Sequence, residues 1–315
     1  MKKVIIDTDP GTDDALAIIM GLNSPEIDIL GITTTGGNAK LKDTTRNALR
    51  IINYLNPSVS VPGNSNHIPV SPGSGKPIDG DYTYGYDYHG AAGIGVKIPS
   101  TTSTPSKIGA EKLMTQFISE FPNQVTVIAL GPLTNIARTL LLQPQIAKLV
   151  KETVIMGGAF EIPGNITPYA EFNIFNDPEA AKIVFESGMR IRIIGLDVTN
   201  QVYILQEDCN WETKHNQSAR LSNMIIRNWF RFHQNLIKYP LHDPLAILAT
   251  IKPELLTYTF AEINVETKKT ESIGNTKAIY KNSGSVKIAK NVQSDTSKSI
   301  IIDRLCAFQS IISID

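Results

Sequence analysis

The chain has 315 residues, of which 42% are hydrophobic and 19% are charged, an average composition for a globular protein with a large core. Lysine plus arginine number 30, as do aspartate plus glutamate, so no net field favours nucleic acid or an anionic membrane. We therefore expect a small-molecule ligand, with no nucleic acid and no membrane as partners.

The cysteines and the N-terminus bear on the cellular location. The two cysteines, Cys209 and Cys306, are too few for a disulfide framework, and no Cys-x-x-Cys pair indicates zinc. The apolar run at residues 4–6 is too short for a secretory signal, and no stretch approaches the ~20 apolar residues of a membrane helix. We predict reduced thiols and a cytoplasmic protein.

In the first two thirds of the chain, short β-branched runs alternate with amphipathic stretches. Strands are predicted at residues 4–7, 27–34, 125–130, 153–156 and 191–196, and helices at residues 13–23, 42–55, 133–142 and 178–187. Apolar strands alternating with helices indicate a parallel sheet covered on both faces. The prediction is a doubly wound, mostly parallel, Rossmann-like α/β fold in one domain, residues 1–315, with ligands bound beyond the carboxyl ends of the strands.

The remaining segments elaborate this unit. Residues 62–104 are rich in Gly, Pro, Ser and Tyr, and we interpret them either as an aromatic lid or as a surface excursion with its own small core. Extra helices are predicted near the C-terminus, together with a small antiparallel element. The helices are at residues 216–238, 242–251 and 299–312, and the antiparallel pair is at residues 260–265 and 276–280.

Four carboxylates occur within eight residues, where the first strand turns into the first helix: Asp7, Asp9, Asp13 and Asp14. Two like charges ~4 Å apart repel by ~4 kcal/mol at an effective dielectric constant of 20. Either protons are retained or a cation is bound. A single aspartate here is more often a helix cap or a backbone partner. Four together favour a hard, oxygen-liganded ion, Ca²⁺ or Mg²⁺.

A second acidic element, His242-Asp243-Pro244, lies far downstream at a predicted helix start. A lone His-Asp pair is weak evidence, because such pairs are more often surface structure. The helix start would let Asp243 face the same crevice as the acidic segment. His242 is then either a functional group or a structural partner of Asp243.

Residues 7–15, Asp-Thr-Asp-Pro-Gly-Thr-Asp-Asp-Ala, resemble the signature of the inosine-uridine preferring nucleoside hydrolases. Further motifs follow in the order of that family. They are Thr35-Gly36-Gly37-Asn38, Leu130-Gly131-Pro132-Leu133-Thr134-Asn135, Met156-Gly157-Gly158, Asn165, Ala170-Glu171-Phe172-Asn173, Asp177-Pro178-Glu179-Ala180-Ala181 and His242-Asp243-Pro244. The motifs span roughly three quarters of the chain, and the last ~70 residues carry none.

The resemblance implies a role for each matching residue. Ca²⁺ would be held by Asp9, Asp14, Asp243 and the backbone carbonyl of Leu130. The ribose 2′- and 3′-hydroxyls would be bound by Asp13 and Asn38. The sugar, chiefly its 5′ side, would be held by Asn165, Glu171 and Asn173, with Met156 beneath the ring and Phe172 in the same loop.

The implied reaction is hydrolysis of the N-glycosidic bond of a ribonucleoside. The calcium ion would orient a water and lower its pKa, and Asp9 would take the proton as general base. His242 is the candidate acid for the departing base, because imidazole titrates near neutral pH. The family also implies a homodimer or homotetramer.

The nucleobase side of the site departs from the family pattern. His89 stands where the uridine-cleaving branch tends to have a histidine, and neither tryptophan lies in the predicted lid. Phe230 could stack on a base, whereas Ile226, on the same predicted helix face, cannot hydrogen-bond one. We therefore favour a pyrimidine or mixed inosine/uridine preference.

Two other functions compete with this interpretation. A haloacid-dehalogenase-like phosphatase also places Asp-x-Asp after its first strand, but the downstream lysine and late acidic pair of that family are not in convincing positions here. A non-catalytic nucleoside- or ribose-binding module on the same fold would need only Asp13, Asn38 and Glu171, so the retention of Asp9 argues against it.

Overall fold

The computed structural model describes residues 1–56, 67–209, 211 and 216–307. Its strands are β1 (Lys2–Thr8), β2 (Ile27–Thr34), β3 (Val70–Pro72), β4 (Val125–Ala129), β5 (Glu152–Met156), β6 (Ile191–Ile194), β7 (Tyr203–Leu205), β8 (Lys238–Pro240), β9 (Leu256–Val265), β10 (Thr276–Lys281) and β11 (Val286–Val292).

The helices lie mainly between these strands and after them. They are α1 (Thr12–Leu22), α2 (Leu41–Leu55), α3 (Tyr86–His89), α4 (Ala110–Glu120), α5 (Thr134–Leu142), α6 (Ile146–Leu149), α7 (Phe172–Asn176), α8 (Pro178–Glu186), α9 (Leu196–Thr199), α10 (Gln217–Phe232), α11 (His242–Ile251) and α12 (Ser294–Leu305).

One large sheet organises the molecule, in the order β10-β9-β11-β6-β5-β4-β1-β2-β3. From β3 to β11 neighbouring strands are parallel, and β9 pairs antiparallel with both β11 and β10. The predicted, mostly parallel α/β fold is confirmed. The predicted antiparallel pair also forms, but as the edge of the main sheet, joined to it by β11. A separate hairpin pairs β7 with β8.

Burial of the central strands explains why they form. Strand β4 is buried at every position, and β1 is buried from Val4 to Thr8. Such strands need helices on both faces. Two apolar clusters supply this cover, one containing α1 and α11 and the other containing Leu113 of α4 and Val184 of α8. The site described below lies on this rigid framework.

Two predicted helices have different bounds in the structure. The helix predicted at residues 216–238 ends at Phe232, and β8 then brings Tyr239 into the core with no exposed surface. Pairing of β8 with β7 and burial of Tyr239 override the local helical pattern there. The last helix is Ser294–Leu305 instead of residues 299–312, of which residues 308–312 lie outside the described residues.

The Tyr-rich segment is part of the fold. Its strand β3 extends the main sheet beside β2, and its short helix α3 carries Tyr88 and His89. The hydroxyl of Tyr82 is hydrogen-bonded to those of Thr35 (3.0 Å) and Thr134 (2.7 Å). These contacts tie the segment to the sheet. Residues 62–66 of the predicted segment are outside the described residues.

Across the part of the chain that the structure describes, no helix combines the length and apolarity needed to cross a membrane. Cys209 and Cys306 are both free thiols.

Candidate active site

The candidate site lies at the carboxyl edge of the parallel strands. Thr8 ends β1 and Met156 ends β5, while Asn38 and Leu130 follow β2 and β4. Because β1 pairs in parallel with β2 and β4, and β4 with β5, these positions meet at one edge of the sheet. This is where ligands bind in open α/β sheets, as the sequence predicts.

Asp14, in the first turn of α1, is fully buried and held by several donors. The Thr8 hydroxyl and the Asp9 N–H (3.2 Å) donate to its Oδ1. The Gly11 N–H (2.9 Å) and the Asn38 side-chain amide (2.7 Å) donate to its Oδ2. Burial raises the pKa of Asp14, and these bonds oppose the rise. The donors fix the direction in which the carboxylate points.

Asp9 is also fully buried, but half of its carboxylate is free. Its Oδ2 accepts the Asn38 N–H at 2.6 Å, whereas its Oδ1 has no hydrogen-bond partner within the described residues. Both oxygens lie against glycines: a Cβ on Gly37 would be 2.1 Å from Oδ2, and one on Gly131 would be 2.4 Å from Oδ1. Burial, and then the charge of Asp14, raise the pKa of Asp9 well above its usual range.

Asp13, Asp14 and Asp243 each offer a carboxylate oxygen, and these three oxygens lie within 4.8 Å of one another. At that distance two charges repel by ~3 kcal/mol at an effective dielectric constant of 20. Burial raises the pKa of Asp13 to about 8, and Asp14 adds to the rise. Burial, and then the charges of Asp13 and Asp14, raise the pKa of Asp243 well above its usual range.

This cluster fits a hard cation. The ligand atoms that its three aspartates offer are all carboxylate oxygens, and Asp9 Oδ1 and Asp13 Oδ1 are buried without a hydrogen-bond partner in the described chain. The sequence prediction grouped Asp9, Asp14 and Asp243 around the metal and turned Asp13 to the sugar. In the structure, the carboxylate oxygens that lie within 4.8 Å of one another belong to Asp13, Asp14 and Asp243, a group that does not include Asp9.

Asp7 is outside this cluster and contacts the neighbouring strand ends. Its Oδ1 accepts the Thr33 hydroxyl at 2.6 Å and the Asn135 side-chain amide at 2.8 Å. Burial raises the pKa of Asp7 to about 7, and the two hydrogen bonds moderate the rise. Asn135 also donates to the Thr34 carbonyl at 3.1 Å. Asp7 thereby ties together the strand ends that carry the site.

The predicted sugar-binding residues lie around the start of α7. Glu171 caps this helix, accepting the N–H groups of Asn173 (2.9 Å) and Ile174 (3.2 Å), and it also accepts the Gly158 N–H at 3.1 Å. The Asn173 amide donates to the carbonyls of Leu130 (2.7 Å) and Met156 (3.2 Å). Four of the predicted residues are thus in one buried network.

Asn165 and Phe172 sit at the edge of this network. Asn165 is exposed, and its Oδ1 accepts the Phe172 N–H at 2.9 Å. Phe172 is half-buried. The structure therefore links both residues to the helix start but leaves Asn165 in an open loop.

His89 is anchored to the start of α1. Its Nδ1 accepts the Thr12 backbone N–H at 3.1 Å and lies 3.0 Å from the Thr12 hydroxyl and 3.8 Å from Asp13 Oδ1. An Nδ1 that accepts a backbone N–H is unprotonated, so the proton of the neutral ring is on Nε2. Burial lowers the pKa of His89 to about 3, with His242 and His233 adding to the effect. His89 is therefore a neutral hydrogen-bond donor.

Sequence reasoning missed an aromatic group beside His89. The Tyr88 ring meets the rings of His89 (4.9 Å between centroids), Trp229 (5.5 Å) and His233 (5.3 Å). Burial, and then the charges of Asp13 and Asp243, raise the pKa of Tyr88. His89, which this ring meets, lies 3.8 Å from Asp13 Oδ1. The repeated tyrosines of the segment were the signal for Tyr88, but no local pattern connected it to Trp229.

Phe230 was the predicted stacking residue for the base. It is buried in the larger apolar cluster and meets Trp229 edge-on, with ring centroids 5.2 Å apart. Its contacts are those of a core side chain that supports Trp229.

His242, at the start of α11, is buried beside Asp243. Its Nδ1 is 2.7 Å from the Thr199 hydroxyl. Burial lowers the pKa of His242 to about 4, so the ring is neutral at pH 7. The protonated imidazole assumed from the sequence is therefore disfavoured, although a neutral ring still offers an N–H.

The sheet order and the polar groups at its carboxyl edge define a Rossmann-like α/β enzyme. Residues 4–299 match the sequence model of the inosine-uridine preferring nucleoside hydrolases, and the chain belongs to this family. It is thus a hydrolase acting on N-glycosyl compounds.

Most of the chain aligns with curated nucleoside hydrolases. Uridine nucleosidase 1 of Arabidopsis thaliana is 38% identical, over 85% of this chain and 79% of the relative. The pyrimidine-specific ribonucleoside hydrolase RihA of Salmonella newport (strain SL254) is 38% identical, over 88% of each chain.

Solved structures agree as well. A plant nucleoside hydrolase superposes with a TM-score of 0.88 at 33% identity, covering 97% of this chain and 99% of its own. The purine-preferring ribonucleoside hydrolase of Gardnerella vaginalis gives 0.87 at 28% identity, covering 97% and 98%. The fold is therefore shared by proteins named for different bases.

Proposed function

We propose that this protein hydrolyses ribonucleosides to ribose and free nucleobase, using a calcium-dependent site in which Asp9 is the general base. The observation that carries the proposal is the buried Oδ1 of Asp9, which has no hydrogen-bond partner among the described residues and lies next to the crowded carboxylates. A carboxylate with one oxygen fixed by the Asn38 N–H and the other free is oriented to accept a proton.

The metal would be held by Asp9, Asp14, Asp243 and the Leu130 carbonyl, with Asp13 either on the ion or on the sugar. A divalent cation bound there supplies positive charge that offsets the carboxylate repulsion and makes a nearby water more acidic. The Leu130 carbonyl already accepts the Asn173 amide, and its second lone pair stays available for a cation.

The protein residues supply orientation. We propose that Asp13 and Asn38 bind the 2′- and 3′-hydroxyls and that Glu171 and Asn173 hold the 5′ side of the sugar. Their fixed positions would make attack on the anomeric carbon effectively intramolecular, which lowers the activation barrier. Asp9 then removes a proton from the attacking water.

The leaving base needs a hydrogen-bond donor. Since the His242 ring is neutral at pH 7, we assign it the role of an N–H donor to the departing base instead of an imidazolium acid. The neutral, Nε2-protonated His89 is a second donor near Asp13. Pyrimidines carry carbonyl acceptors, and inosine carries one as well.

Base preference follows from these donors and from the relatives. The Arabidopsis and Salmonella relatives are named for uridine and pyrimidine nucleosides, and both are 38% identical to this chain. We therefore propose a pyrimidine or mixed inosine/uridine preference. Tyr88 is favoured over Phe230 as the ring closer to the base, because it packs on His89, which lies 3.8 Å from Asp13, whereas Phe230 is in the apolar core.

A substrate panel with a chelator tests the proposal. Ribose release from inosine, uridine, cytidine, adenosine and guanosine is measured before and after EDTA treatment, then after adding back Ca²⁺ or Mg²⁺. We expect EDTA to abolish release and Ca²⁺ to restore it. Full activity after EDTA would overturn the metal assignment.

Asp9→Asn tests the general base, with Asp303→Asn as a surface control. The variant keeps the size of the side chain, so we expect kcat to fall by about 10²- to 10⁴-fold while KM changes little. An Asp9→Asn enzyme as fast as the parent would refute the mechanism. Nucleoside binding without turnover in the parent would favour a binding module, and phosphate release from a phosphomonoester without ribose release would favour a phosphatase.

A cytoplasmic location and a homodimeric or homotetrameric assembly remain predictions from the sequence. Cell fractionation tests the first, and size-exclusion chromatography with light scattering tests the second.

A further inference from the structure

The segment from Gly157 to Glu171, here called the sugar loop, joins β5 to the cap of α7. It contains Asn165 and ends in Glu171, two of the residues proposed to hold the 5′ side of the sugar. Gly158 has a φ of +83°, and its N–H donates to Glu171. The turn at Gly158 thus helps to set where the Glu171 carboxylate lies.

The base of this loop is tied to β10, in the part of the chain that has no family motif. The Thr276 hydroxyl accepts the Ala159 N–H at 3.2 Å and donates to the Ala159 carbonyl at 2.9 Å. Thr276 is only 3% exposed, so these two hydrogen bonds are shielded from water. One hydroxyl therefore holds both polar groups of the residue that follows Gly158.

The other end of the loop contacts the same region. Ala170 forms an antiparallel bridge with Asn275, next to Thr276. Gly274, at a φ of +79°, approaches so closely that a Cβ there would be 2.8 Å from the Phe175 Cα and 3.1 Å from the Ala170 Cβ. The turn before β10 therefore packs against the residue preceding Glu171.

A third contact lies on the surface. The Tyr280 hydroxyl donates to Glu161 Oε1 at 2.6 Å, and the Lys290 ammonium bonds the same oxygen. These groups come from β10 and β11. Since the bonds are exposed, they add little stability. They nevertheless give the loop a third point of contact with this part of the sheet.

We propose that Thr276 is a positioning residue for the sugar site, and that strands β10 and β11, which flank β9 in the main sheet, hold the sugar loop in its binding geometry. The proposal rests on the proposed function, because it assigns the 5′ side of the sugar to this loop. Displacing a positioning element by about 1 Å is enough to cost on the order of 10²-fold in rate.

Thr276→Val removes the hydroxyl and keeps the shape of the side chain. Ribose release is measured for uridine and 5′-deoxyuridine with the parent, Thr276→Val and Thr276→Ser. We expect kcat/KM for uridine to fall by about 10-fold or more in the valine variant and to be retained in the serine variant. 5′-Deoxyuridine should lose much less, because the group that the loop holds is missing, so the ratio between the two substrates falls.

Thr259→Val, in the neighbouring strand β9, is the matched control and should leave the ratio unchanged. Equal losses for both substrates in Thr276→Val, or no loss for either, would overturn the proposal. If that variant does not fold, Tyr280→Phe combined with Lys290→Met alters only the surface contact and should shift the ratio in the same direction, by about two-fold. An unchanged ratio in that variant would then count against the proposal.

Hydrogen exchange separates this inference from the proposed function. The Ala159 amide should exchange at least about 10-fold faster in Thr276→Val than in the parent, whatever the substrate. If the parent releases ribose from no nucleoside, the proposed function fails and exchange alone decides whether β10 and β11 hold the loop. Unchanged exchange at Ala159 and across the sugar loop would refute the proposal that β10 and β11 hold this loop.

Discussion

Replacing Asp13 by asparagine should stabilise the metal-free protein. The pKa of Asp13 is raised from 3.8 to about 8 by burial and by Asp14. Between those two values the folded state holds a proton that the unfolded state has released, so stability falls as the pH rises through this window. From pH 4 to pH 7 this amounts to about 4 kcal/mol, at about 1.4 kcal/mol for each pKa unit.

The asparagine does not titrate, so folding at pH 7 no longer requires uptake of a proton at this position. We therefore expect Asp13→Asn to raise the free energy of unfolding by between about 2 and 4 kcal/mol at pH 7 in EDTA, and by much less at pH 4.5. Urea denaturation followed by circular dichroism at both pH values measures the difference. Asp303→Asn, an exposed change, should stay within about 0.5 kcal/mol of the parent.

Saturating Ca²⁺ should narrow the difference. A ligand at 100 times its dissociation constant adds about 2.7 kcal/mol to stability, and the parent should gain more than a variant that has lost one of the clustered carboxylates. A less stable Asp13→Asn protein in EDTA at pH 7, or an equal gain at pH 4.5, would show that carboxylate crowding is not what destabilises the site.

Two further substitutions probe the surroundings of the site. Gly131→Ala would place a Cβ 2.4 Å from Asp9 Oδ1, so kcat should fall by about 10²-fold or more, whereas Gly75→Ala, whose Cβ would meet its nearest atom at 3.7 Å, should leave kcat unchanged. Arg192→Ala breaks a bidentate pair with Glu152 at 2.9 Å, and should cost about 3 kcal/mol in urea denaturation without changing kcat. A large loss of kcat in the arginine variant would mean that this pair reaches the site.

Local patterns were enough for much of the fold. The strand at Ile27–Thr34 and the helix at His242–Ile251 have the predicted bounds, because each has a clear apolar pattern and a sharp boundary. Strand β11 was not predicted, since two lysines and an asparagine interrupt the apolar residues of Val286–Val292. Its partners, β6 and β9, are distant in sequence. Such long-range pairing is invisible to a local pattern.

The site divides in the same way. The acidic turn is a local signal, and the structure places two of its carboxylates, Asp13 and Asp14, together with Asp243. The contact between Tyr88 and Trp229 depends on how α10 packs against the Tyr-rich segment. The tautomer of His89 depends on the Thr12 N–H, which has no intrahelical acceptor because it lies in the first turn of α1. Neither relation follows from residue spacing.

The place of β11 in the sheet has a consequence for synthesis on the ribosome. β9 is translated before β11, yet it pairs only with β11 and β10 in the main sheet, so it has nowhere to dock when it emerges. Until residues 286–292 leave the exit tunnel, β6 keeps an open edge, the kind of exposed backbone that invites aggregation. Thr276 and Lys290 lie on these late strands, β10 and β11. A nascent chain would therefore cover the open edge of β6 and order the sugar loop together, in its last steps of folding.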